Sequence, residues 1–222
     1  PSPLQYTNNE NGACTLAGFA AASQSGSYDE CGGSIVFFWQ FTDACGRTIS
    51  HTQTVTVDPA PPAAFSNPPN ATTLDCSSIP SIFPTLNYTN SQTGICSIEG
   101  TVTAIQSGFY DACGGNITYT WTFIDDCNRS ISHAQNVIVT PASDPMFTNF
   151  PADLTINCGE LFPTPINLPY TNNESGSCEI TGIVPAIVTS YGNGGMEYTW
   201  TFTNPCNNFT ITYTQIIDQT PS

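Results

Sequence analysis

The chain contains no lysine at all and only two basic residues in total, against 17 acidic ones, for a formal net charge of −15 over 222 residues. Nucleic acid or an anionic membrane surface would be repelled by it, because no basic patch can be assembled. Without lysine there is no Schiff-base amine and no phosphate-loop cation. Charge of either sign is scarce, at 9 % of residues. No apolar run approaches the ~20 residues that a membrane-spanning helix needs, so membrane insertion is not expected. Also missing are a Gly-x-Ser-x-Gly elbow, a His-Glu-x-x-His pair and any Cys-x-x-Cys spacing. The only histidines are His51 and His133, and the carboxylates are scattered without a pair that suggests an acid/base couple. These absences argue against an enzyme.

What the chain does have is hydroxyl and amide surface together with enough apolar residues to fold. Aromatics make up 11 % and hydrophobics 39 %, too many of both for a disordered chain. No secretory leader opens the sequence, and Pro1 falls in mid-repeat, so the chain reads as a piece of a longer precursor.

Self-similarity organises the rest. Tyr6, Tyr88 and Tyr170 each begin Tyr-Thr-Asn and lie 82 residues apart, and a cysteine follows each: Cys14, Cys96 and Cys178. Ser27-Tyr-Asp-Glu-Cys-Gly-Gly33 matches Phe109-Tyr-Asp-Ala-Cys-Gly-Gly115, whereas the third copy reads Ser190-Tyr-Gly-Asn-Gly-Gly195 and has lost its cysteine. Then come Trp39-Gln-Phe-Thr-Asp-Ala-Cys45, Trp121-Thr-Phe-Ile-Asp-Asp-Cys127 and Trp200-Thr-Phe-Thr-Asn-Pro-Cys206. Gln53, Gln135 and Gln215 mark a closing strand. Pro-rich stretches beginning at Asp58 and Pro141 punctuate the array, each leading to an alternating run that ends at Cys76 or Cys158. Three modules follow: residues 1–58, lacking the opening strand and first cysteine, residues 59–140, and residues 141–222. The 82-residue register puts the missing cysteine at position −6 of the same numbering (76 − 82).

Within a module the apolar period is two. Ile117, Tyr119, Trp121 and Phe123 alternate with threonines, as do Met196, Tyr198, Trp200 and Phe202 with Glu197 and threonines. That is a strand with one aromatic face inward and one solvated face. The Gly-Gly pairs read as hairpin turns, and Gly100–Gln106 reads as a further strand. No amphipathic helical stretch of useful length occurs. The expected fold is all-β: tandem immunoglobulin-like antiparallel β-sandwich modules stapled by disulfides.

Ten cysteines in such an array indicate disulfides in an oxidising compartment. Cys113 precedes the Trp121 strand and Cys127 follows it, so about 30 Å of strand keeps them apart. Cys96, placed at the start of an antiparallel neighbour, falls at the Cys127 end. The pairing expected on that basis is Cys14–Cys45, Cys96–Cys127 and Cys178–Cys206, with Cys76–Cys113 as the remaining pair and Cys31 and Cys158 without partners. Arg47 and Arg129 follow Asp43 and Asp125 by four residues, which suggests a local ion pair. The same carboxylates, with Asp126 and Asp58, are the candidate oxygen ligands for Ca²⁺, the one cofactor the composition leaves open. His51 and His133 occupy equivalent positions, where the third module is read as having Thr212, so a partly exposed strand position describes them better than a catalytic one. Six Asn-x-Ser/Thr sequons, at Asn70, Asn87, Asn116, Asn128, Asn173 and Asn208, are possible glycan acceptors.

In its order of Asp-Pro-x-Pro-Pro, Tyr-Asp-Ala-Cys-Gly-Gly, Trp-x-Phe-x-Asp-x-Cys and Gln-x-Val-x-Val, the chain resembles the four-cysteine HYR-like (hyalin-type) repeats of Bacteroidota surface adhesins, including the SprB-type gliding-motility adhesins. The resemblance spans the whole chain, and its most specific part is the Trp…Asp-x-Cys segment. It implies an immunoglobulin-like sandwich, export to the extracellular cell surface by the type IX secretion route, and a part in adhesion, gliding motility or a filament. Two departures stand out: the lost cysteine of module three, and Asn204-Pro-Cys206 in place of Asp-x-Cys. The expected function is a stiff structural and adhesive spacer, whose expected partners are neighbouring repeats of the same polypeptide and, beyond them, surface polysaccharide or other cells. The alternative is a carbohydrate- or ligand-binding array attached to a secreted enzyme. An aromatic platform repeated on the surface of all three modules would favour binding; aromatics turned inward would favour the spacer.

Overall fold

The computed structural model describes residues 1–220; residues 221 and 222, the end of the third module as delimited above, lie outside it. Threonine- and valine-rich alternation produces strands along much of the chain, and among the described residues the only helical pieces are single 3₁₀ turns. The first repeat carries β1 (Leu4–Thr7), β2 (Ala17–Ala20), β3 (Ala22–Asp29), β4 (Gly32–Thr42) and β5 (Thr48–Val57). The second carries β6 (Ala64–Phe65), β7 (Thr72–Asp75), β8 (Thr85–Thr89), β9 (Glu99–Thr103), β10 (Ile105–Asp111), β11 (Gly114–Ile124) and β12 (Ser130–Thr140). The third repeats that plan with β13 (Met146–Phe147), β14 (Leu154–Ile156), β15 (Leu168–Thr171), β16 (Thr181–Val184), β17 (Ile187–Tyr191), β18 (Gly195–Thr203) and β19 (Thr210–Gln219).

Repeats two and three each build a four-stranded and a three-stranded sheet, in the orders β10-β11-β12-β7 with β6-β8-β9, and β17-β18-β19-β14 with β13-β15-β16. Neighbouring strands are antiparallel except for one parallel pair per repeat, β7 on β12 and β14 on β19. Repeat one has only β3-β4-β5 and β1-β2. Its β5 consequently has a bare edge where β12 and β19 have a neighbour.

Two compact units emerge, and they do not coincide with the sequence repeats. One holds residues 1–68, 85–103 and 121–133; the other holds residues 69–84, 104–120 and 134–222. The chain passes between them within β11 and β12, so the middle repeat contributes to both. In the second unit Phe147, Leu168, Tyr198, Trp200 and Ile217 form a buried cluster drawn from both sheets of repeat three. In the first unit Tyr6 stacks on Phe41 and Tyr88 on Phe123, with ring centroids 3.9 and 3.8 Å apart. Tyr170 and Phe202 repeat the stack at 3.9 Å.

Those stacks account for one part of the Tyr-Thr-Asn signature. A glycine lies beneath each tyrosine, and a Cβ on Gly18, Gly100 or Gly182 would come within 2.5–2.6 Å of the phenol oxygen. The asparagine accounts for another part. Asn90 donates from Nδ2 to the Cys96 carbonyl, while its Oδ1 accepts from the amides of Gln92 and Ile98. Asn8 and Asn172 tie their own loops in the same way. The signature is structural.

Two local expectations need correction. The strand expected over Gly100–Gln106 is broken at Ala104, which is buried and donates its amide to Pro84; the chain there leaves β9 in one sheet for β10 in the other. The hairpin turn is not formed by Gly32-Gly33 or Gly114-Gly115 but by the two residues before each pair, since Asp29 already pairs with Gly32 and Asp111 with Gly114. The first glycine of each pair instead has φ +86° and lies so close to the strand exit that a Cβ would meet Val57 O or Val139 O at 2.5 Å.

Candidate functional site at the joints between repeats

The cysteines lie where one repeat gives way to the next. Each joint belongs to a single compact unit, the one between repeats one and two to the first unit and the one between repeats two and three to the second. Three disulfides form: Cys31–Cys127, Cys76–Cys178 and Cys113–Cys206, with sequence separations of 96, 102 and 93 residues. Every one joins a repeat to its neighbour. The expected bonds Cys14–Cys45, Cys96–Cys127, Cys178–Cys206 and Cys76–Cys113 are all absent, and Cys31 is bonded rather than left over. Cys14, Cys45, Cys96 and Cys158 are free thiols.

The correction has a physical cause. Cys113 and Cys127 do bracket the long strand β11 and cannot meet, as expected. But Cys96 ends a 3₁₀ turn (Gly94–Cys96) ahead of β9, and the break at Ala104 sends β9 into the other sheet. It therefore does not open the strand beside β11, which is β10, and is not brought against Cys127. The cysteine at the hairpin of one repeat instead meets the cysteine that follows the tryptophan strand of the next.

Nearby carboxylates and amides position these cysteines. Asp29 Oδ1 accepts the Cys31 amide at 2.8 Å and Asp111 Oδ1 accepts that of Cys113 at 2.8 Å. Asp43 Oδ1 does the same for Cys45, and Asn204 Oδ1 for Cys206. Asparagine serves as well as aspartate in this turn because only an acceptor oxygen is required. The departure at Asn204-Pro-Cys206 thus keeps the cysteine in place.

The linker between repeats one and two is fastened at consecutive residues. The Ala60 amide donates to Glu30 O at 2.9 Å, and Asn90 Nδ2 donates to Pro61 O at 3.3 Å. Arg129 donates from Nη1 to Ala60 O at 2.5 Å and from Nε to Asp125 Oδ2 at 2.7 Å. Burial raises the Asp125 pKa, but hydrogen bonds from the Arg129 amide and guanidinium and the charge of Arg129 outweigh it and hold it below its ordinary value. Asp43 and Arg47 form the equivalent pair at 2.7 Å. Hydrogen bonds from the Arg47 amide and side chain, the largest contribution coming from the amide, lower the Asp43 pKa too. The Arg47 side chain is 73 % exposed, against 28 % for Arg129.

At the joint between repeats two and three the chemistry is exchanged but the arrangement is kept. The Ala142 amide donates to Ala112 O, as Ala60 does to Glu30. No arginine is present there; instead Asn204 and Asn207 donate from their Nδ2 atoms to Asp144 Oδ1 of the linker, at 2.8 and 2.7 Å. Ser143 adds a bond from its amide to Glu174 Oε1. Nothing in the sequence marked Asp144; its register position, 82 residues after Pro62, was the available signal.

The remaining candidates fall elsewhere. Of the Ca²⁺ candidates, Asp43 and Asp125 are engaged by arginines, Asp126 is exposed beside a 240 Å³ cleft, and Asp58 is exposed on the linker. Among the described residues no group of three or more His, Cys, Asp and Glu side chains is placed to hold a metal ion. His51 and His133 lie against Trp39 and Trp121, at ring-centroid distances of 5.7 and 5.9 Å, and the residue in their place opposite Trp200 is Tyr213, at 5.9 Å, rather than the expected Thr212. Cavities of 190 and 270 Å³ in repeat one are lined by Leu4, Tyr6, Phe41 and Ile49 among others, and sequence reasoning did not foresee them. Among the described residues no helix is long and apolar enough to cross a membrane. Compared with protein-family models and with curated proteins, the chain finds no match in either. Three disulfides fit an oxidising, extracellular environment.

Proposed function

We propose that the chain is a structural repeat segment of a large exported cell-surface adhesin or filament, and that it acts as a spacer between the surface and whatever the parent protein contacts. The observation that carries this reading is that every disulfide crosses from one repeat to the next. A binding module needs its own fold held together; a load-bearing array needs its joints held, because the joints are where it would otherwise bend or open. Covalent bonds at the joints, with linkers pinned by Arg129 or Asp144, match the second need. The two-sheet plan of seven strands in repeats two and three supports the immunoglobulin-like reading of each module.

The aromatics favour the spacer over a ligand-binding array. Trp39, Trp121 and Trp200 are 5, 1 and 0 % exposed, and the tyrosine–phenylalanine stacks occupy equivalent places in all three repeats. The two most exposed aromatics, Phe19 and Phe109, are not repeated: Phe19 corresponds to Thr101 and Ile183, and Phe109 to Ser27 and Ser190. The absence of a catalytic constellation in the sequence makes the proposed role mechanical rather than enzymatic. The experiment is an in-register deletion of residues 59–140 from the parent protein, scored by surface display and adhesion. A spacer predicts normal display and most adhesion retained. Complete loss of adhesion despite normal display would overturn the proposal in favour of a specialised binding module.

A further inference from the structure

The repeat register sorts the cysteines into four positions. Cys76 and Cys158 hold the first, Cys14, Cys96 and Cys178 the second, Cys31 and Cys113 the third, and Cys45, Cys127 and Cys206 the fourth. The disulfides then obey one rule. The first cysteine of a repeat bonds the second of the next (Cys76–Cys178), and the third bonds the fourth of the next (Cys31–Cys127 and Cys113–Cys206). Carried one repeat outward in each direction, the rule gives every free thiol a partner beyond the present residues. Cys96 requires a first cysteine belonging to repeat one, Cys14 a first cysteine and Cys45 a third cysteine in the repeat before it, and Cys158 a second cysteine in the repeat after it. No thiol is left over.

The protein carries a second mark of the missing partner. β12 and β19 each receive a parallel strand, Thr72–Asp75 on Val137–Thr140 and Leu154–Ile156 on Ile217–Gln219. Gln135 and Gln215 reach over to donate to Asn70 O and Ala152 O just ahead of those strands. On β5 the place is empty. Val55 is 38 % exposed, where its counterparts Val137 and Ile217 are 1 and 0 % exposed.

We infer that Cys14, Cys45, Cys96 and Cys158 are open halves of the same disulfide ladder, and that their partners are flanking repeats of the same polypeptide. The segment for Cys96 has a stated chemistry: a short alternating strand that pairs in parallel with β5 from Val55 onward and ends in cysteine, like Ala71-Thr-Thr-Leu-Asp-Cys76. A second copy of this chain docked head to tail is the weaker occupant. It would offer Cys158 to Cys14 but leave Cys96 unmatched, and Cys45 as well, since repeat three has no third cysteine. The same loss means that a repeat following Cys158 has no partner for a fourth cysteine. Closing each bond converts two thiols to a disulfide, releasing two protons and two electrons. A small disulfide such as oxidised glutathione accepts the electrons by exchange and leaves as two thiols. The inference rests on the pairing rule and stands whether or not the array serves as a spacer.

The test is a chain extended by a copy of residues 59–82 fused directly before Pro1, which restores the register and supplies both missing strands and one cysteine. Both chains are refolded with oxidised and reduced glutathione, alkylated and mapped without reduction. In the parent chain Cys14, Cys45, Cys96 and Cys158 should be alkylated. In the extended chain Cys96 should leave that set and appear linked to the copy of Cys76, while Cys14, Cys45 and Cys158 stay alkylated. A Cys96→Ser version of the extended chain should still protect the Thr56 amide from hydrogen exchange, because that amide alternates away from β4 toward the bare edge and the strand pairs without the bond. Cys96 alkylated as before, the new cysteine bonded elsewhere, or a covalent dimer through Cys158 and Cys14 would each overturn the inference. So would an unprotected Thr56 amide in both extended chains.

Discussion

Removing the Cys31–Cys127 bond isolates what a joint disulfide contributes. The perturbation is Cys31→Ala with Cys127→Ala, and the loop it opens has a sequence separation of 96 residues. A simple chain-entropy estimate for a loop near that size is about 4.7 kcal/mol at 25 °C. Cys76–Cys178 lowers this figure, because it supplies a second route in the unfolded chain: 45 residues from Cys31 to Cys76, then 51 from Cys178 back to Cys127. The two routes share the 45 residues from Cys31 to Cys76 and run in parallel only over the last 51, so they behave like one loop of roughly 70 residues, for which the same relation gives about 4.4 kcal/mol. Set against a typical total stability of 5–15 kcal/mol for a domain, that is a large share. The assay is urea unfolding followed by tryptophan emission, with Trp39 and Trp121 in the affected unit. At an m-value of about 3 kcal/mol/M the midpoint should fall by more than 1 M. The control is Cys14→Ala with Cys45→Ala, which removes two free thiols and should move the midpoint by less than a few tenths molar. Equal shifts in the two variants would refute the reasoning, since the loop would then be contributing nothing.

The other predictions concern the residues around the joints and the repeat signature. Asp125 and Asp43 have folded pKa values below the 3.8 of the unfolded chain, so the stability they add is fully present above that pH and is lost as pH falls through the folded values. Asp125→Asn should therefore flatten the decline in melting temperature below pH 4, and it should cost more at pH 7 than Asp43→Asn, because only Arg129 also fastens the linker through Ala60. Equal costs would contradict the role given to that contact. Gly100→Ala should lower stability by about 1–3 kcal/mol in thermal unfolding, because its Cβ would meet Tyr88 Oη at 2.6 Å and push the ring off Phe123. Joining Asp58 to Pro141 by deleting residues 59–140 brings a third and a fourth cysteine of adjacent repeats together, so peptide mapping should find Cys31 bonded to Cys206. Both left as free thiols would break the rule.

The period-two aromatic strands were legible because burial acts directly on residue type: Ile117, Tyr119 and Trp121 must face inward wherever they lie. The Asp-x-x-x-Arg pairs were legible for a similar reason, since both partners fall within one tight turn. The disulfide connectivity was not. In a tandem array Cys96 and Cys178 occupy the same position of the pattern, so spacing alone cannot tell a bond within a repeat from a bond to the next one. Simple counting favoured the wrong answer, because pairing inside repeats leaves two thiols over whereas the ladder leaves four. What decided it was the break at Ala104, where one buried small residue moves the chain between sheets and carries Cys96 away from β11. The part played by Asp144 was hidden for another reason: it replaces an arginine contact with an asparagine one, and the substitution makes sense only once the linker is seen against Asn204 and Asn207.

The central claim is that the bonds run between repeats, and non-reducing peptide mapping of the alkylated native chain tests it most directly. The account predicts linked peptides for Cys31–Cys127, Cys76–Cys178 and Cys113–Cys206, with Cys14, Cys45, Cys96 and Cys158 alkylated. A Cys96–Cys127 or Cys178–Cys206 peptide at comparable yield would place the bonds inside the repeats and contradict it.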